Sequence, residues 1–274
     1  SGGLLDISRN MWNSKDHQNG IMVGLVRTLG ASAWGEMRIS GGTVTNSGQF
    51  AVGLGLGGTG FVYQTGGTVQ QGVGRSGVTC YQTTIGWGGG NGSYTLSGGT
   101  FESAKPVYIG GITAADLGYT PLTVIFTNAS VGTLRVDGGS FSLTNQNLYL
   151  GRYGSGTLII GSNGVCSAKD IVLTNNTQST LRFELGQNGP GLLTARGTLT
   201  VSAGASLEVD STALDVYSAA YRGRDIWIRL VDCATRTTSF APANIKVTGK
   251  GVVRQDKGED IWLFIQRGAM FLLY

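Results

Sequence analysis

One short phrase returns along the chain and dictates where it can bend. Ser40-Gly41-Gly42-Thr43-Val44 recurs as Thr65-Gly66-Gly67-Thr68-Val69, as Ser97-Gly98-Gly99-Thr100-Phe101 and as Asp137-Gly138-Gly139-Ser140-Phe141. Two adjacent glycines permit positive φ at a corner where a Cβ would clash. A β-branched residue at Gly98 is therefore expected to be forced towards positive φ. Aligned on the first glycine, the copies at 2, 41, 66, 98 and 138 stand 39, 25, 32 and 40 residues apart. Weaker copies put Asn163 and Gly204 at the same point, and Asn tolerates the left-handed region next best. An interval of 25 holds three short strands with their corners, which is one turn of a stacked β-solenoid. Longer intervals are that coil plus a loop.

Two further marks keep step with the glycine pair. The first is an apolar phrase ending in glycine: Met22-Val23-Gly24, Ala51-Val52-Gly53, Thr84-Ile85-Gly86, Tyr108-Ile109-Gly110 and Tyr149-Leu150-Gly151. The second precedes the pair, in segments starting at Gly60, Gly92, Gly132, Gly156 and Gly197. In these, Tyr94/Leu96, Leu134/Val136, Leu158/Ile160 and Leu199/Val201 alternate with other side chains. Period two means strands with those residues inward. Segments 9–20, 71–83 and 111–120 break the pattern and read as excursions. Beyond Val209 the repeat fades, and strands are expected at 226–231, 245–247, 252–254, 261–265 and 270–273. The reading is an all-β solenoid of irregular repeats over 1–210, with 211–274 as a C-terminal β cap of the same domain.

Composition agrees with many tight turns and little else. Gly numbers 47 and Pro 4, and charged residues make up 13% against about 25% in ordinary domains. No Gly-X-Y period allows collagen, and 41% hydrophobic residues argue against disorder. Nine Lys/Arg and five Asp/Glu between Arg222 and Arg267 account for the whole net charge of +4. The repeats themselves are neutral and have no footprint for nucleic acid. No apolar run approaches the roughly 20 residues of a membrane span. Three scattered cysteines and one histidine give neither a zinc spacing nor a multi-histidine metal site, so no metal or cofactor is expected. The N-terminus reads as a repeat cut in mid-phrase and not as a signal peptide. Its first coil, with Leu5 and Ile7, is expected to favour homo-oligomers or head-to-tail assembly through that face.

The phrases Gly-x-Leu-x-Val-x-Gly-Gly and Leu-Tyr-Leu-Gly resemble the passenger-type repeats of bacterial autotransporter-like surface proteins, over about residues 1–210. The resemblance implies a right-handed parallel β-helix, placed extracellularly or on the bacterial cell surface. It differs at the C-terminus, where no membrane β-barrel follows. Passengers of this type include adhesins, stalks and enzyme scaffolds, so the resemblance selects no single activity.

The expected function is accordingly a non-enzymatic stalk, adhesive module or fibre subunit. The alternative is a carbohydrate-active β-helix, either a polysaccharide-binding module or a lyase or hydrolase. Tyr63, Tyr81, Trp87, Tyr108, Tyr149 and Tyr153 could form a glycan-stacking strip on adjacent coils. Trp12, Asp16 and His17 form a polar loop cluster with acid/base potential. Among the charged residues, Asp137 stands just before a glycine pair, where it would cap the turn. No two carboxylates recur at matching places in neighbouring coils, so the paired-acid signature of glycoside hydrolysis is not expected.

Overall fold

A computed structural model describes residues 4–6, 20–26, 30–73, 82–112, 129–174, 178–187, 189–218, 220–221 and 224–266. Among the described residues almost every element is a β-strand, and the one helix is a single 3-10 turn at Pro242–Asn244. The chain visits three parallel ladders in a fixed cyclic order. The first ladder stacks Ala33–Ile39, Gly58–Gln64, Asn91–Leu96, Val131–Val136, Ser155–Ile160, Ser179–Glu184, Ser206–Asp210 and Ile245–Thr248. The second begins after the glycine pairs: Leu4–Asp6, Thr43–Asn46, Thr68–Gln71, Thr100–Ser103, Ser140–Leu143 and Val165–Ala168. The third stacks Gly20–Leu25, Gln49–Leu54, Thr83–Trp87, Val107–Ile109, Leu148–Leu150 and Ile171–Leu173.

The register shows why the corners repeat. Thr43 pairs with Thr68, Thr68 with Thr100 and Thr100 with Ser140, so the glycine pairs at 41, 66, 98 and 138 stack along one edge. Within each pair the second glycine takes the left-handed conformation, at φ 75°, 73°, 82° and 72° for Gly42, Gly67, Gly99 and Gly139. The first does not, which corrects the expectation for Gly98. There a Cβ would instead stand 2.5 Å from the carbonyl oxygen of Thr65 in the coil below. Asn163 does not take the left-handed conformation either: Asn145 is the one non-glycine at positive φ among the described residues. Four residues, Gly161 to Gly164, span that corner instead of three, and the extra residue changes the turn.

The other two glycine marks meet at the corner between the third and first ladders. Gly24, Gly53, Gly86, Gly110 and Gly151 all have positive φ. Gly35, Gly60, Gly92, Gly132 and Gly156 lie in register on the adjoining ladder. A Cβ on Gly92 would stand 2.1 Å from Val52 O and 2.4 Å from Gly86 N. The two backbones are too close there for any side chain. Gly197 is not a member of this row. Leu199 pairs with Ile171 on the third ladder, and Ser206–Asp210 continues the first, so the expected alignment of 197–204 is displaced.

The alternating side chains fill the space between ladders as the period requires. Tyr94, Leu96, Leu134, Val136, Leu158 and Ile160 are fully buried. Phe101 lies on Phe141 at 4.4 Å with planes 3° apart, and Tyr94 meets Phe101 edge-on at 5.5 Å. The Tyr94 hydroxyl donates to Gln64 Oε1 at 2.6 Å. That partner satisfies a buried group that would otherwise cost stability, and burial pushes the phenol pKa well above its usual value.

From Leu192 onward the parallel ladders continue before the pattern changes. Leu192–Val201 pairs with both Val165–Ala168 and Ile171–Leu173, joining the second and third ladders into one sheet. Ile226–Arg236 lies parallel beside it. Ile261–Ile265 then runs antiparallel to Ile226–Arg236 and to Val252–Arg254. The strand expected at 270–273 lies outside the described residues, as do most of the excursions.

Candidate functional site

The outward side of the first ladder carries aromatic, hydroxyl and charged side chains on successive coils. Because side chains alternate along a strand, every second residue faces out, and the register stacks these residues in parallel rows. One row runs Glu36, Phe61, Ser93, Thr133, Thr157 and Thr180. The next runs Arg38, Tyr63, Thr95, Arg135, Ile159, Arg182, Glu208 and Lys246. Aromatic groups gather at the end towards the N-terminus, hydroxyls in the middle and charges at the other end.

At the aromatic end Trp34 is 66% exposed and lies 6.2 Å from Phe61. Phe61 and Tyr63 are 6.4 Å apart with planes 4° from parallel. The Arg38 guanidinium sits 4.9 Å above the Tyr63 ring and donates to Glu36. Tyr63 thus stands among aromatic neighbours that the sequence reading did not select. Strand pairing across 25 residues, and not sequence proximity, brings Trp34 to Phe61.

At the charged end Arg135 is the organiser. Its Nε donates to Asp137 at 2.5 Å and its Nη2 to Glu184 at 2.6 Å, across the strand that ends at Ile160. Gly161 makes room for this span, since a Cβ there would meet Asp137 Oδ1 at 2.5 Å. Asp137 therefore faces a guanidinium and does not cap its own turn. Arg182 adds ion pairs to Glu184 at 3.0 Å and Glu208 at 3.7 Å. Glu184 and Asp210 are register partners on adjacent strands, which overturns the expectation that no carboxylates match between coils. Arg182, Glu208, Asp210, Lys246 and Thr248 line a shallow cleft beside them.

Both carboxylates of that pair are held ionised. The hydrogen bond from Arg135 holds the Glu184 carboxyl below its usual range, and hydrogen bonds from Thr212 do the same for Asp210. A general acid for glycoside cleavage needs the opposite, a carboxyl kept protonated near neutral pH. The arrangement suits charge pairing and hydrogen bonding more than proton delivery. The depressed Glu184 value also sets a pH dependence. Its stabilising contribution is complete above the unfolded-state value of about 4.3 and is lost as pH falls through the lower folded value. Thermal melts between about pH 5 and pH 3 should show Arg135→Ala losing less Tm on acidification than the original chain. An unchanged acid slope would deny the pair this role.

The remaining aromatic candidates do not join this surface. Trp87 and Tyr108 are 2% and 5% exposed, inside a separate apolar cluster with Ala51, Leu54 and Ile112 on the third ladder. Tyr149 stacks on Tyr108 at 4.8 Å, and Arg152 lies 5.4 Å over its ring. Buried rings cannot stack on a ligand, so Trp87 and Tyr108 are not available to the strip expected from the sequence. Tyr153 lies beside Gly111, where the third ladder turns towards the first. Tyr81, Trp12, Asp16 and His17 lie outside the described residues. Lys169 and Asp170 approach each other at 3.9 Å, and Asp170 accepts the backbone N–H of Thr198 at 2.8 Å.

Among the described residues no group of three or more His, Cys, Asp or Glu is placed to hold a metal ion. No helix there is long and apolar enough to cross a membrane. None of the family models, curated proteins or solved structures compared with the chain matches it.

Proposed function

We propose that the chain is a right-handed parallel β-helix serving as a non-enzymatic stalk or adhesive module of a secreted or bacterial cell-surface protein. The observation that carries this reading is the outward side of the first ladder. It is a long, regular surface whose register-matched carboxylates, Glu184 and Asp210, are tied to Arg135, Arg182 and Thr212 and held ionised. Such a surface offers contacts and no poised acid. Stacking of further copies through the N-terminal coil belongs to the same proposal, as the fibre-forming form of the stalk.

A second reading, a polysaccharide-binding module, is favoured by Trp34, Phe61 and Tyr63 at one end of the same surface. Trp34 is exposed and the half-buried Phe61 and Tyr63 rings lie nearly parallel beside it, a set of ring faces that suits the apolar faces of sugars. A polysaccharide array scored for both retention and release of reducing ends tests the two together. The expected result is no release from any glycan. Release above the protein-free control, abolished in Glu184→Gln, would overturn the non-enzymatic reading. Retention lost in Trp34→Ala would establish the second.

A further inference from the structure

A different surface lies at the C-terminal end of the fold. Ile226–Arg236, Ile261–Ile265 and Val252–Arg254 form three antiparallel neighbours. Their inward side chains Ile226, Ile228, Ile261, Leu263 and Ile265 are buried. Outward, the register builds a small grid: Trp227, Phe264 and Val252 across one line, Arg229, Trp262 and Arg254 across the next. Trp227 and Val252 are 40% and 51% exposed, an unusual outlay of apolar surface for a charged region.

The cations on this grid are held by rings. Lys257 Nζ stands 4.3 Å over Trp227 and 5.1 Å over Trp262, and the Arg254 guanidinium 5.7 Å over Phe264. Arg229 is neutralised by Asp232 at 3.3 Å and Asp260 at 3.5 Å. Arg254 and Lys257 form no ion pair with any described carboxylate. Two exposed cations are thus fixed in place by cation–π contact, which orients them without cancelling their charge. The segment that carries them also holds the whole net positive charge of the chain.

We infer that this grid is a binding site for an acidic polysaccharide of uronate type. Arg254 and Lys257 would pair with sugar carboxylates, Arg through its planar fork. The exposed edges of Trp227 and Val252 would meet the apolar faces of the rings. Charge complementarity selects the acidic glycan over a neutral one. A nucleic acid fits less well, because Asp232 and Asp260 border the grid and would repel a continuous phosphate backbone, while the repeats add no basic track.

The test uses the whole chain and three probes: hexagalacturonate, a neutral cellohexaose and a six-nucleotide single strand of DNA. Titration calorimetry should show hexagalacturonate binding that weakens with added salt and exceeds both other probes. The variant Arg254→Ala/Lys257→Ala should lose at least tenfold in affinity with an unchanged melting temperature. Lys257→Arg, which keeps the charge, should restore binding when Arg254 is native. Trp34→Ala should bind like the original chain, which separates this site from the first-ladder surface. Equal binding of cellohexaose, tighter binding of the oligonucleotide, or full affinity in the double variant would each overturn the inference.

Discussion

Gly132→Ala should destabilise the chain by about 3 kcal/mol or more, the upper end of overpacking costs, or prevent folding outright. A single methyl there would stand 2.0 Å from Ile85 O, on a strand of the third ladder, and 2.3 Å from Gly110 N, at the corner just past the next strand. Neither can retreat like a side chain, and each belongs to a coil held on both sides. Gly41→Ala is the control, because a Cβ at that position meets nothing within 4 Å and its φ is not positive. Its cost should stay within about 0.5 kcal/mol, the range of ordinary surface changes. Urea unfolding of the two variants decides the matter. Equal midpoints would mean that the backbones at this corner are not as close as described.

The second large effect is expected in the core. Phe101→Ala should cost about 3–5 kcal/mol, the usual range for truncating a buried Phe. Its ring touches three coils at once: Phe141 at 4.4 Å, Tyr94 at 5.5 Å and Phe50 at 6.3 Å. Strands above and below are fixed by backbone hydrogen bonds, so the cavity cannot close by sliding one coil. Phe101→Leu, which keeps most of the volume, should cost less than half as much. A loss below about 1 kcal/mol for Phe101→Ala would show that neighbouring rings refill the space, contrary to the relaxation-limited picture of cavities.

Much of the fold was legible because its determinants are local and repeated. Alternation around Tyr94/Leu96 and Leu134/Val136 marked inward strands, and all four residues are fully buried. The glycine pairs marked one corner because their chemistry is visible in two adjacent letters. The weaker copies misled for the same reason. Gly197-Thr198-Leu199 has the letters of a first-ladder strand, but its place is set by Leu192–Val201 running on without a corner. The charged end of the first-ladder surface was only half legible. Arg135 and Asp137 are close in sequence, whereas Glu184 joins them through two strand pairings. Glu184 and Asp210 are 26 positions apart, and only register makes them neighbours. The aromatic end was missed because Trp34 and Phe61 occupy different coils, while Trp87 and Tyr108 look exposed in sequence and are not.

The ten-residue strand Leu192–Val201 bears on how long such an object can be. Every earlier coil hands the next an equivalent template, so corner chemistry alone contains no number. A stack of that kind resembles a one-dimensional crystal, in which each layer licenses another. Leu192–Val201 behaves as a dislocation in that lattice: two separate rows enter it and a single row, shifted in register between Ala195 and Thr198, leaves. The strand laid on its far side, Ile226–Arg236, already carries an antiparallel neighbour along much of its length. In the second and third ladders translational symmetry is lost at that point, while the first adds only Ser206–Asp210 and Ile245–Thr248 beyond Ser179–Glu184 among the described residues.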